Sequence, residues 1–265
     1  MDSAYEPRPE LVEILASMMM FFSENISSDK AGIILDEENS KHIVQVLRMK
    51  AGEKILLTDG IGNLVNGEIA DAHKKHCTIN IISTSFKNRH KPALTIGISL
   101  IKNTGRFEWF LEKATELGTA EIIPMVCDRT EKQHVRYDRL VSICKSAMLQ
   151  SSQVWMPVMR QPASFNEVVK NAGQQQKLFG HISEGTNESG PAGKSLIYGA
   201  ERSLNASINR SLNSHIILIG PEGDFSQSEV AAAKSLGFEG VSFGSTILRV
   251  ETAGIYAAVV HAAGA

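Results

Sequence analysis

Two glycine-bearing blocks near the C-terminus hold the residue types best suited to grip a flat ligand between backbone walls. The first, Gly220-Pro221-Glu222-Gly223-Asp224-Phe225, directly follows the apolar run 216–219. The second, Gly244-Ser245-Thr246-Ile247-Leu248-Arg249-Val250-Glu251-Thr252-Ala253-Gly254, directly precedes the apolar run 255–260. Glycine lacks a Cβ and proline restricts φ, so a Gly-Pro-Glu-Gly turn lets backbone approach a ligand and offer its own N–H and C=O groups. Gly244 and the backbone of Ile247 and Leu248 can do the same from the opposite side. Such a pair reads an adenine edge without charged side chains. Each block lies between a strand and a helix, and ligands of open α/β sheets bind at such turns, outside the carboxyl ends of the strands. One block alone reads equally well as an ordinary turn. Two in this order favour one pocket with two walls.

The elements that must position these blocks follow from periodicity. Residues 93–100 read as a strand, and 105–117 as a helix with Phe107, Phe110, Leu111, Ala114 and Leu117 at helical spacing and Gly118 as its stop. A strand at 121–126 and a helix at 137–149 follow. Ser164 and Glu167 form a capping-box pattern, as do Ser226 and Glu229, whose helix Gly237 closes. Strands are expected at 177–182, 215–219 and 241–243, and a last helix at 252–263, with 183–213 unassigned. This alternation implies a mainly parallel α/β sheet with helices on both faces. Upstream, 20–86 is β-rich: a short helix opened by Asp36 and running through 42–47, then strands at 54–58, 64–70 and 77–83 with a turn at Asp59-Gly60-Ile61-Gly62-Asn63. That pattern fits a small barrel. The expected division is an extension at 1–19 outside the fold, a first domain at 20–86, a basic linker at 87–92 ending in Pro92, and a second domain at 93–265.

Composition narrows the class. The 265 residues, 43% apolar and 21% charged, are ordinary for a globular chain of one large or two small domains. A net charge of −2 sets up no global basic field, so nucleic-acid contact must use local patches. Cys77, Cys127 and Cys144 are odd in number and lack metal-type spacing, which fits reduced thiols in a cytoplasm and no metal. No apolar run approaches the length of a membrane span. Residues 14–22 are mostly apolar, but Asp2, Glu6, Glu10 and Glu13 precede them where a signal peptide carries positive charge, so secretion is rejected. Met18, Met19 and Met20 offer alternative starts. Gly193-Lys194-Ser195 is similar to the end of a phosphate loop, but Glu188 stands where that pattern needs glycine.

The two blocks together, GPEG-D-F followed by G-x-x-ILR-x-ETA, resemble the RsmE-type ribosomal RNA methyltransferases of the SPOUT superfamily. Lys102-Asn103-Thr104-Gly105-Arg106-Phe107-Glu108-Trp109 and Lys113-Ala114-Thr115-Glu116-Leu117-Gly118 are similar to that family's helix signature. Glu121-Ile122-Ile123-Pro124, Asp128-Arg129-Thr130 and Ser146-Ala147-Met148-Leu149-Gln150-Ser151 extend the match. Lys41-His42-Ile43-Val44-Gln45-Val46-Leu47-Arg48, Gly52 and Asp59-Gly60 are similar to its N-terminal module, so the resemblance runs from about Met20 to the C-terminus. It implies a PUA-like RNA-binding β-barrel followed by a SPOUT-type α/β trefoil-knot domain, although knots are otherwise almost absent from proteins. It also implies a homodimer with its active site at the subunit interface, and S-adenosyl-L-methionine as cofactor. The implied reaction is methylation of N3 of a specific uridine in 16S rRNA of the small ribosomal subunit. A transferase acting on tRNA and a catalytically inactive RNA-binding relative stay open.

Carried onto this chain, the resemblance gives one cofactor wall to Leu218, Ile219, Gly220, Pro221, Glu222 and Gly223, and the other to Gly244, Ile247, Leu248, Thr252 and Ala253. N3 of uracil bears a weakly acidic proton between two carbonyls, so negative charge grows on the uracil oxygens as N3 attacks. A fixed guanidinium suits that charge. Arg249, between the two turns, is the first catalytic choice; the alternative is a structural ion pair with Glu251 or Glu222. Glu116 or Glu222 is a candidate proton acceptor, with a structural or capping role as the alternative. RNA contacts fall to Arg48, Lys102, Arg106 and Arg129, with 73–76 and 87–91 as further basic stretches of which Lys74 and Lys75 read as solvated. Gln153 stands where many members place arginine. Asp224 replaces the second glycine of GPEGG, a position where Asp tolerates unusual dihedrals and can help cap the next helix.

Overall fold

Alternating burial shapes the N-terminal unit: Val65 and Ile69 of the strand Asn63–Asp71 point into a core while their neighbours stay more open. In the computed structural model, residues 19–24, 26, 32–131, 134–181 and 202–263 are described. Most of the expected extension, Ile182 and the Gly193-Lys194-Ser195 segment lie outside them. β1 (Met20–Phe22), β2 (Gly32–Ile34), β3 (Lys54–Thr58), β4 (Asn63–Asp71) and β5 (Thr78–Phe86) form one sheet in the order β1-β3-β4-β5-β2. β1 runs parallel to β3, and the other pairs are antiparallel. Phe21, Ile43, Ile55, Leu57, Val65, Ile69 and Ile79 fill the core. Asp36 caps α1 (Glu37–Lys41) by accepting from Asn39 N at 2.7 Å, and the helix widens into a π turn at His42–Val46. The strand expected at 77–83 begins one residue later and runs on to Phe86.

The chain divides between Arg89 and His90, and Met148–Met156 belongs with the first unit. Local periodicity assigned that segment to the second domain. Long-range backbone pairing places it otherwise: Gly62 N donates to Val154 O and Met156 N donates to Gly60 O, both at 2.9 Å, around a bridge between Ile61 and Trp155.

The second unit is the α/β body. Its strands are β6 (Ala93–Ser99), β7 (Glu121–Val126), β8 (Val158–Met159), β9 (Ala163–Ser164), β10 (Gln176–Gly180), β11 (Ser214–Ile219) and β12 (Glu239–Val241). The order is β12-β10-β11-β6-β7-β8, with β9 also on β7, and every pair is parallel. Its helices are α2 (Thr104–Glu116), α3 (Tyr137–Gln150, all but its last three residues), α4 (Phe165–Asn171), α5 (Leu204–Ser207), α6 (Gln227–Ser235) and α7 (Val250–Ala262). Both predicted capping boxes are complete, at Ser164 with Glu167 and at Ser226 with Glu229. β8, β9 and α5 have only two to four residues each, too few to carry a period. β12 ends at Val241 rather than starting there, and α7 begins at Val250 because Arg249 is its N-cap.

β11 is buried from His215 to Ile219 and sits between β6 and β10, two strands that precede it in the chain. α7 packs on β6 and α2. Gly254 permits this: a Cβ there would lie 2.5 Å from the Phe110 ring and 3.0 Å from Ile98 Cδ1.

Where α7 meets β11, two histidines are buried together. His215 Nε2 lies 3.0 Å from Asn209 O, and His261 Nε2 lies 3.2 Å from His215 Nδ1. Burial, then the neighbouring His215, pulls the His261 pKa down to about 4; burial lowers that of His215 too. Both are therefore neutral in the fold at neutral pH. As pH falls below the ordinary histidine value of about 6.5, the unfolded chain takes up protons that the fold refuses, so stability declines. Denaturant midpoints should drop between pH 6.5 and about 4, and His261→Leu should flatten that slope. An unchanged slope would mean that this pair does not titrate as described.

Candidate functional site

In a parallel sheet all carboxyl ends share one side, and the site is built from what leaves the strands there. After β6 the chain adds β7 on one flank and β10, β11 and β12 on the other, so the sheet changes direction between β6 and β11. That is the topological switch point where α/β sheets bind ligands.

The Gly-Pro-Glu-Gly turn leaves β11 here. A Cβ on Gly220 would come 3.2 Å from the ring of Phe225, so glycine lets the turn fold back on that ring. Phe225 is buried against Phe165 and Phe179, which ties the turn to the core. Pro221 is buried, while Glu222 and Gly223 are exposed. Asp224 takes φ 60°, as its residue type allows. Its Oδ1 accepts from Phe225 N at 2.7 Å, and the expected capping of α6 falls to Ser226 instead.

The loop after β7 braces this turn. Asp128 Oδ2 accepts from Ser226 Oγ at 2.6 Å, and Asp128 N donates to Glu229 Oε1 at 2.9 Å. Arg129 donates to Gly223 O, its stem against that glycine, where a Cβ would sit 3.3 Å from Arg129 Cδ. Beneath lies a buried polar knot: Ser99 Oγ and Thr130 Oγ1 are 2.8 Å apart, and Cys127 N donates to Thr130 Oγ1. Burial, then the nearby Glu229, pushes the Cys127 thiol up to about 12, so it supplies no thiolate.

The second wall follows β12. Phe243 packs on Gly180, where a Cβ would meet its ring at 2.2 Å. Gly244 has φ 122° and nothing within 4 Å of a Cβ position, so open space lies beside it. Ile247 is 63% exposed and Leu248 half-buried. Arg249 is exposed at the N-cap of α7 without a side-chain capping bond. Glu251, 6% exposed, faces Arg106 at 3.6 Å, and among the described residues Arg249 has no carboxylate partner. Thr252 is exposed and Ala253 buried.

His181 joins the two walls. Its N donates to Val241 O at 3.3 Å, and its Nδ1 lies 3.3 Å from Asp224 Oδ2, without the alignment of a hydrogen bond. In the sequence it falls inside the strand expected at 177–182.

The remaining predicted residues are placed as follows. Leu218 and Ile219 are buried in β11, and the Leu218 side chain fills the space at Gly97, so any ligand contact from them is through backbone. Lys102 is exposed and pairs with Glu131 at 3.3 Å. Arg106 and Arg129 are committed to Glu251 and Gly223 as above. Arg48, at φ 58° and exposed, belongs to the first unit. Glu116 pairs with Lys113 at 2.9 Å and lies ten residues down α2 from Arg106, about 15 Å of helix. A cavity of about 680 Å³, lined by Glu121, Tyr137, Arg160, Glu167 and Gln174 among others, shares no residue with either turn. Among the described residues no group of three His, Cys, Asp or Glu could hold a metal, and no helix is long and apolar enough to cross a membrane.

Residues 88–262 match the RNA methyltransferase domain family, and residues 35–82 match an RNA methyltransferase PUA domain. The chain is 28% identical over 229 residues to the ribosomal RNA small subunit methyltransferase E of Synechocystis, covering 84% of this chain and 70% of that one. It is 27% identical to the Bacillus subtilis protein of the same name, covering 83% and 85%. A Legionella pneumophila chain assigned as a methyltransferase, solved in complex with the cofactor SAM, superposes with TM-score 0.78 at 26% identity, covering 93% of this chain and 98% of that one.

The Gly180 contact offers a test of how the walls are held. Gly180→Ala forces Phe243 aside, so stability should fall by about 1–3 kcal/mol, read as a lower denaturant midpoint with an unchanged m-value. A midpoint equal to the parent's would show that Phe243 is not fixed there.

Proposed function

We propose, from the premise that this chain belongs to the RNA methyltransferase family matched by residues 88–262, that it methylates N3 of a uridine in 16S rRNA using S-adenosyl-L-methionine. The observation that carries this is the pair of glycine turns leaving β11 and β12 beside His181, with an exposed guanidinium, Arg249, at the head of α7.

The residues fit the cofactor. Open space beside Gly244, the exposed edge of Glu222 and Gly223, and the apolar Ile247 and Leu248 are what a slot of backbone donors and acceptors with an apolar wall would need. Gly220, Pro221, Glu222 and Gly223 would hold one side, with backbone support from Leu218 and Ile219, and Gly244, Ile247, Leu248, Thr252 and Ala253 the other. When bound, S-adenosyl-L-methionine supplies a methyl group activated by its sulfonium.

Arg249 stabilises the negative charge that develops on the uracil oxygens, helped by the N-terminal end of the α7 dipole. Leaving Glu251 to Arg106 keeps that guanidinium available. For the N3 proton, Glu222 stands on the turn itself, whereas the distance down α2 argues against Glu116. The PUA match supports RNA contact by the first unit, including Arg48.

The finer reading includes a homodimer, because Trp109 on α2, Ile247 on the second turn and Val259 on α7 are exposed apolar groups, at 48%, 63% and 44%. It also includes a trefoil knot, supported by β11 entering between β6 and β10. The location is the cytoplasm, with the small ribosomal subunit as substrate.

Reverse transcription across small-subunit rRNA tests the substrate, because N3 methylation blocks base pairing. Cells with the gene should show one strong stop at a uridine that cells without it lack. Identical stops in both strains would reject the rRNA assignment. With purified protein, Arg249→Ala should lower kcat about 10²–10³-fold while SAM affinity stays near the parent value. Turnover equal to the parent's would remove Arg249 from the chemistry.

A further inference from the structure

We propose that Phe86 is a stacking platform for an unpaired RNA base, propped by Trp155 and flanked by the cations Lys87 and Arg89. This rests on reading the chain as an RNA methyltransferase and adds an RNA contact in the first unit. Phe86 ends β5 with 59% of its surface exposed, and Ile61 beside Trp155 is 61% exposed. The ring is open but not loose. It meets Trp155 edge-on, with centroids 5.9 Å apart and planes at 82°. Trp155 is itself fixed: its Nε1 donates to Lys87 O at 2.8 Å, and the Arg89 guanidinium lies over its ring at 4.9 Å. Arg89 Nη2 also donates to Met156 O at 2.9 Å.

The turn at Gly62 makes room for both rings. A Cβ there would lie 2.6 Å from Trp155 and 2.7 Å from Phe86, and φ is 104°, so both space and conformation call for glycine. Three segments far apart in sequence therefore converge to hold one aromatic ring that stays in solvent. Burial would be the simpler use of such a ring.

The flanking charge identifies the partner. The stretch Phe86-Lys87-Asn88-Arg89-His90-Lys91-Pro92 contains three cations and no carboxylate. An aromatic face beside cations suits a base on the ring with its phosphates on the charges, the arrangement by which proteins hold single strands.

The test uses the full chain and a labelled single-stranded oligoribonucleotide, followed by fluorescence anisotropy, with the matched duplex as control. Phe86→Ala should weaken single-strand binding about tenfold, and Phe86→Tyr should restore it. Lys87→Gln should reduce the slope of log affinity against log salt by about one. With rRNA substrate, Phe86→Ala should raise KM and leave kcat unchanged. Equal oligonucleotide affinity for Phe86→Ala and parent would overturn the proposal. A change in oligomeric state at unaltered RNA affinity would overturn it too and mark the patch as a protein contact. A parent protein that methylates 16S rRNA with a KM untouched by Phe86→Ala rejects the platform alone. A parent that binds SAM yet neither methylates nor binds RNA rejects the functional reading, and the platform with it.

Discussion

The burial of β11 between β6 and β10 is the constraint on which the site depends. Five successive residues, His215 to Ile219, are buried, and both strand edges are paired. Each large aliphatic side chain placed this way contributes about 1.5–3 kcal/mol relative to exposure. The first glycine turn is the direct continuation of this strand. The second reaches the same end through β12, which pairs with β10 and, among the described residues, with no other named strand. If β11 were absent, β10 and β12 would lose their connection to β6 and the two walls would have no common frame. The placement of this strand between two earlier ones is thus tied to the existence of the site.

Within that frame the turn is held by charge and hydrogen bonds rather than by packing alone. Glu229 is 4% exposed, a costly state for a carboxylate unless its oxygens are satisfied. Oε1 accepts from Asp128 N and Oε2 from Ser226 N, so one side chain completes a capping box and ties β7 to α6. Arg129 then reaches from the same loop to the Gly223 carbonyl. The residue that sequence similarity pointed toward RNA is thereby a brace of the first glycine turn.

Much of this was legible from the sequence because it is local. Both capping boxes, the helix stop at Gly118 and the turn at Gly60 and Gly62 depend on a few adjacent residues. The parallel sheet was readable from apolar runs with Gly turns between them. What stayed hidden depends on distant partners. Met148–Met156 joins the first unit through hydrogen bonds to Gly60 and Gly62, which no period in 137–157 encodes. His181 becomes a bridge only once Val241 and Asp224 are brought to it. Glu116 carries a motif-like neighbourhood, but helical rise places it about 15 Å from Arg106, a distance that adjacency in a motif conceals.

Arg249 shows how such distant pairing decides chemistry. In sequence, Glu251 is the obvious partner, two residues away. Residues two apart near a helix start do not face each other, because each residue turns the chain by about 100°. Glu251 therefore points inward, where it is buried, and Arg249 points out. A buried carboxylate left alone would be costly, and Arg106, half-exposed on the first turn of α2, approaches to 3.6 Å. The neutralisation is provided by Arg106, and among the described residues Arg249 has no carboxylate partner. At the head of α7 one negative charge is then matched by Arg106, leaving Arg249 and the helix dipole as positive charge with no carboxylate partner among the described residues. In the proposed reaction, an anion forming on the base would meet both.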